Sequence, residues 1–197
     1  MPLHGQLKRA KPRVEVLRGY NPNEPHTLTQ SHPVASGVTV KSGQVVYLRW
    51  NGTTARYEWR LGCADGKVPY IALQDWDTSG TTGLGSFGYD PDVVEAGKLT
   101  GLSCAGQFEI QTPYFYASDT YAMDAALTYV PNNGSDAATG SGALGSLRLA
   151  AAGDPVVGRI SRTSGQNSPT DLTGINSNVT DKDVITFTTH FENNVAV

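Results

Sequence analysis

The chain has 197 residues, of which 17% are charged, with 22 glycines and 11 prolines. That size fits one ordinary domain, or a domain with an arm, and the many turn formers favour short strands over long amphipathic helices. The formal charge of −3 divides into +4 for residues 1 to 18 (Lys8, Arg9, Lys11, Arg13 and Arg18 against Glu15) and −7 for the rest, a body too acidic for a duplex-DNA partner.

Residues 1–33 read as an extended, basic N-terminal arm punctuated by Pro2, Pro12, Pro22, Pro25 and Pro33, which rule out a continuous helix or ladder. Within it only Val14-Glu15-Val16-Leu17 is patterned to pair as a short strand. The arm is either a disordered tail or a segment that orders against a neighbouring subunit. Its first 20 residues lack the apolar stretch of a secretory signal, and no segment approaches the ~18 to 20 apolar residues that cross a bilayer, so cytosolic synthesis and no membrane partner are expected.

Residues 34–197 form the body. Turn signals at Ser42-Gly43, Asn51-Gly52 and Asp65-Gly66 separate β-patterned runs, and each supplies the positive φ angles that tight hairpins need. Val46, Leu48 and Trp50 alternate with Val45, Tyr47 and Arg49, and Tyr57, Trp59 and Leu61 alternate with Glu58 and Arg60, so one set is expected inward and the other outward. Further strands are predicted at 68–73, 108–112, near 125–130, near 147–150, at 156–160 and at 184–191. Thr78 to Tyr89 reads as a glycine-rich loop, and Pro131 to Ser146 and Thr163 to Asp183 as surface loops. No internal repeat or second boundary interrupts the body. The economical architecture is all-β, a single β-sandwich or β-barrel with an arm.

Candidate chemistry is sparse. Asp75-Trp76-Asp77-Thr78-Ser79-Gly80 resembles the opening of a calcium loop through Asp75, Asp77 and Ser79, but Ser86 stands where a bidentate glutamate is required. The sequence around Gly97-Lys98 lacks the earlier P-loop glycine and the following Ser or Thr, so no phosphate cradle is read there. Of the histidines, His4, His26 and His32 lie in the arm, His190 is expected on an outer strand face, and none has metal-ligand spacing. Cys63 and Cys104 read as small buried thiols in preference to a bridge. Glycoside chemistry would need Glu58, Asp75, Asp77 and Glu109 to converge. No catalytic residue, metal or cofactor is assigned, and the chain is not read as an enzyme. Trp50, Tyr57, Trp59, Tyr114, Phe115 and Tyr116 could stack sugars, although at alternating strand positions most belong in a core. Tyr114-Phe115-Tyr116, too dense for both faces to be core, is the candidate aromatic contact surface.

The order of the β motifs resembles the decoration, or cement, proteins of tailed-bacteriophage capsids. The residues that carry the resemblance are Val38 to Val46, Lys67 to Asp75, Phe108 to Thr112 and Gly153 to Ser161, spread over about residues 36 to 191. The resemblance implies a small β-barrel or sandwich, commonly a homotrimer, bound to the major capsid protein on the outside of the shell. It implies a virion location after synthesis in the host bacterial cytoplasm. Lys8, Arg9, Lys11, Arg13, Val14, Val16, Leu17 and Arg18 are then the candidate capsid- or neighbour-binding residues, with the Val14 to Leu17 strand adding to a neighbour's sheet edge. A carbohydrate-binding β-sandwich module, or another virion part such as a head fibre or tail protein, is the alternative reading.

Overall fold

The computed structural model describes residues 15–19, 29–76, 98–105, 107–162 and 184–192. The regular elements among them are strands: β1 (Glu15–Gly19), β2 (Thr29–His32), β3 (Val45–Asn51), β4 (Arg56–Leu61), β5 (Pro69–Ala72), β6 (Leu99–Ser103), β7 (Phe108–Thr112), β8 (Ala126–Tyr129), β9 (Leu147–Leu149), β10 (Val156–Arg162) and β11 (Ile185–Glu192). One six-stranded sheet runs β1-β7-β11-β10-β8-β9 and one five-stranded sheet runs β2-β6-β5-β3-β4. All their strand pairs are antiparallel. The fold is all-β as expected, and of the two expected architectures, sandwich and barrel, its two antiparallel sheets match the sandwich.

Two of the three glycine turns work as the sequence suggests, with Gly43 at φ 98° and Gly66 at φ 70°. The third differs. β3 and β4 stay in register from Val46↔Leu61 to Asn51↔Arg56, so residues 52–55 form a four-residue loop. The positive φ falls on Ala55, at 49°, and not on Gly52. Asn51 organises this loop with its side chain, whose Oδ1 accepts the N–H groups of Thr53 at 3.0 Å and Thr54 at 3.3 Å. An Asx-type turn has replaced the two-residue hairpin.

The main core lies between the sheets. Val45 and Tyr47 of β3, Ile71 of β5 and Leu102 of β6 cluster with Ile110 of β7, Leu127 of β8, Ile160 of β10 and Phe187 of β11. Cys63 and Cys104 are buried here as free thiols. Burial pushes the Cys63 thiol up to about 12 and raises Cys104 as well, since neither thiolate could be solvated there.

The five-stranded sheet also buries its other face, which corrects the expectation that one alternating set of β3 points to solvent. Val46, Trp59, Tyr70, Ala72 and Leu99 form a second cluster, completed by Val34, Val40 and Trp76. The cause is the path of the chain after β2. β2 pairs with β6 at one edge of the sheet, and the residues directly following it pair with β4 at the other edge. Trp59 N–H donates to Pro33 O at 2.9 Å, and Ala35 N–H donates to Trp59 O at 3.1 Å. Val40 and Trp76 then exchange backbone hydrogen bonds of 2.9 and 2.7 Å over the same face. The sheet therefore curls until its two edges are tied by one segment, with Trp59 inside.

β2 lies within the stretch assigned to the arm, so residues 29–32 belong to the sheet. β6 is not among the strands that the sequence predicts. Its Leu-Thr-Gly-Leu-Ser run has weak strand propensity because Gly101 must be small: a methyl group there would stand 2.8 Å from Trp59 Cη2. The loop after β8 is at the surface as expected but is tied down by the buried Asn132. Asn132 Nδ2 donates to Leu61 O at 2.8 Å, and its Oδ1 accepts Gly134 N–H at 2.8 Å and Asp136 N–H at 3.2 Å.

Candidate binding surface

A row of rings crosses the outer face of the five-stranded sheet. Trp50 and Tyr57 are directly opposed on β3 and β4, their centroids 5.2 Å apart and their planes at 70°. His32 of β2 stands 6.3 Å from Tyr57 and 5.8 Å from Trp59, edge to face with both, and Trp59 contacts Tyr70 at 5.1 Å. Exposure changes sharply along the row. Trp59 is 0% exposed and donates its Nε1 hydrogen to Leu99 O at 2.7 Å, whereas Trp50 is 53% and Tyr57 50% exposed. Strand alternation puts all three on one face but cannot show that Trp50 and Tyr57 lie next to the loop, beyond the covering segment. Distance from the Asn51 turn is the signal that would have separated them from Trp59.

On the opposite face of the same hairpin Glu58 is buried. Its carboxylate accepts Asn51 Nδ2 at 2.8 Å, Thr54 Oγ1 at 2.9 Å and Arg56 Nε at 3.0 Å. Burial alone would raise the Glu58 pKa, but the hydrogen bonds from Asn51, Arg56 and Thr54, with the charge of Arg56, outweigh it and hold the carboxyl below its ordinary 4.5. His32 is also lowered, from 6.5, by burial first and by the positive charge of Lys98 second. Both shifts have the same sign in stability. The unfolded chain protonates His32 near 6.5 before the folded chain does, so stability declines as pH falls from 6.5 toward the lowered value. Glu58 adds a contribution that is complete above 4.5 and lost as pH falls through its lowered value. Denaturant midpoints measured from about pH 8 to 3 should therefore fall in two stages. His32→Gln should flatten the upper stage and Glu58→Gln the lower; a profile level between about pH 7 and 5.5 in the unaltered protein contradicts the His32 assignment.

The other candidate residues are dispersed. Lys8, Arg9, Lys11, Arg13 and Val14 lie outside the described residues, as do Asp77 and Ser79. Val16, Leu17 and Arg18 fall on β1, which pairs with β7 of its own chain, with a register shift between Val16 and Arg18. Asp75 acts as a turn cap: its Oδ1 accepts Ser42 N–H at 2.8 Å and its Oδ2 lies 3.9 Å from Lys41 Nζ. Glu109, on β7 of the other sheet, accepts Ser161 Oγ at 3.1 Å. Glu58, Asp75 and Glu109 thus serve three separate polar networks. Among the described residues no three His, Cys, Asp or Glu side chains gather as a metal site. His190 is exposed on β11 beside Glu192.

Tyr114-Phe115-Tyr116 is not the exposed aromatic surface that its density suggested. Phe115 is buried in the inter-sheet core, edge to face with Tyr121 at 5.5 Å. Tyr114 O accepts Leu147 N–H at 3.0 Å, Tyr116 N–H donates to Leu147 O at 2.8 Å, and Tyr121 OH donates to Tyr116 O at 2.8 Å. The run closes the sandwich beside β9, and its flanking tyrosines are half-buried. Comparison with known proteins gives no further assignment, since no family model, curated protein or solved structure matches the chain.

Proposed function

We propose that this chain is a virion structural protein that binds the outside of a tailed-phage capsid and stabilises it, with the major capsid protein as partner and a homotrimer of itself as the working unit. The observation that carries the reading is the ordered set of β motifs from Val38 to Ser161 that resembles capsid decoration proteins. The position of the basic N-terminal stretch in the sequence supports it. That stretch leads directly into β1 at the end of the six-stranded sheet. The outer edge of β1 has no strand partner among the described residues, and such an edge can accept a strand from a neighbouring protein by backbone hydrogen bonding. Symmetric repetition then multiplies modest contacts, because each further contact forms at high effective concentration. The positive residues ahead of β1 would orient it toward an acidic surface.

The test is to incubate the purified protein with undecorated, expanded capsids. Saturable binding and a gain in capsid resistance to heat or chaotrope are expected, and removal of residues 1–14 should weaken retention, increasingly so at high salt. Absence of both binding and stabilisation rejects the proposal.

A further inference from the structure

We propose that the corner formed by Trp50 and Tyr57 is a carbohydrate-binding subsite that takes one pyranose unit of a glycan. Two rings in contact at 70° present a floor and a wall. The C–H face of a pyranose can lie on one ring while its rim abuts the other, a contact that buries apolar C–H groups and leaves the hydroxyls free for hydrogen bonds. The corner is also held in place. Trp50 and Tyr57 are a cross-strand pair on a hairpin whose end is fixed by the Asn51, Thr54 and Arg56 hydrogen bonds to Glu58. Little side-chain freedom would be lost on binding.

The size of the patch selects this occupant over a protein. Among the described residues the large apolar side chains that are exposed are Trp50, Tyr57, Val68 and Met123. Two half-exposed rings offer roughly 200 Å² in all, against ~800 Å² per partner in a standard protein interface. The next rings along the row are partly or wholly covered, so the apolar area does not continue. Hydroxyl recognition is available beside it. His32 lies on the same face, 6.3 Å from Tyr57, and its ring nitrogens make no hydrogen bond among the described residues. A neutral imidazole offers one donor and one acceptor, which suits a sugar hydroxyl.

Trp50 provides its own reporter, since Trp59 and Trp76, the other tryptophans, are buried. The intact protein should be screened on an array of bacterial and host surface glycans, and a responding oligosaccharide then titrated by tryptophan fluorescence. A saturable spectral change is expected. Trp50→Ala and Tyr57→Ala should each weaken affinity at least tenfold while the thermal midpoint changes little, and Trp50→Phe should retain part of the binding. A silent array overturns the proposal, as does glycan binding that survives both alanine substitutions. Loss of capsid binding in Trp50→Ala, with the array silent, would assign the patch to a protein contact instead. Glycan binding by a protein that ignores capsids would uphold the subsite and reject the capsid reading, so the two proposals fail separately.

Discussion

Trp59→Ala is expected to lower the stability of the folded chain by about 3–5 kcal/mol, the range for removing a large aromatic side chain from a core. Trp59 is wholly buried, and its ring is the body around which the five-stranded sheet curls. Its loss leaves a cavity bounded by Tyr70, Leu99 and Val34, and leaves Leu99 O without the indole donor. The bridge from Pro33 and Ala35 to the Trp59 backbone would lose the packing beneath it, so β2 should loosen along with the edge closure. Denaturant midpoints, and exchange of the backbone amides at positions 35 and 59, would measure both effects. Trp59→Phe, which keeps most of the apolar volume but not the N–H, should cost about 1–2 kcal/mol more than packing alone predicts. A Trp59→Ala protein with unchanged midpoint would show that the second core is not needed for the fold.

Gly158→Ala should be nearly as damaging, through overpacking and not through a void. β10 meets β11 with register shifts on either side of this position. A methyl group on Gly158 would lie 2.5 Å from Thr188 O and 2.6 Å from Phe187 Cδ2. The first neighbour is backbone of a central strand, and the second is the ring of a residue with no exposed surface. Neither can withdraw without separating the strands or disturbing the inter-sheet core, so a loss of about 2–4 kcal/mol is expected. Gly52→Ala is the control: its φ is not positive and a methyl group there meets nothing within 4 Å. That change should stay within about 0.5 kcal/mol. Equal midpoints for the two variants would contradict the close approach at Gly158.

Most of the strand plan was legible because it rests on local chemistry. The predicted runs beginning at Val68, Phe108 and Val156 became β5, β7 and β10 with edges moved by a residue or two. Gly43 and Gly66 take the left-handed conformation that their dipeptides suggested. β6 was illegible for a physical reason: the tryptophan ring packed on Gly101 requires a glycine in mid-strand, and glycine is the residue that ordinarily argues against a strand. The aromatic surface was misplaced for a related one. Tyr114-Phe115-Tyr116 has the composition of a contact patch, but the backbone bonds to Leu147 draw Phe115 into the sandwich.

The sequence by itself determined an all-β domain, the positions of most strands, and an uneven charge with its positive end at the N-terminal stretch. Period-two patterning and turn residues act over a few positions, so they survive without knowledge of the fold. Only the tertiary structure decided which face of each strand is covered. The alternation that marks Trp50, Tyr57 and Trp59 as one face is identical for all three, yet the segment from Pro33 to Val40 covers Trp59 and stops short of the other two. Burial depends on what packs over a residue from a distant part of the chain, and that contact leaves no local trace.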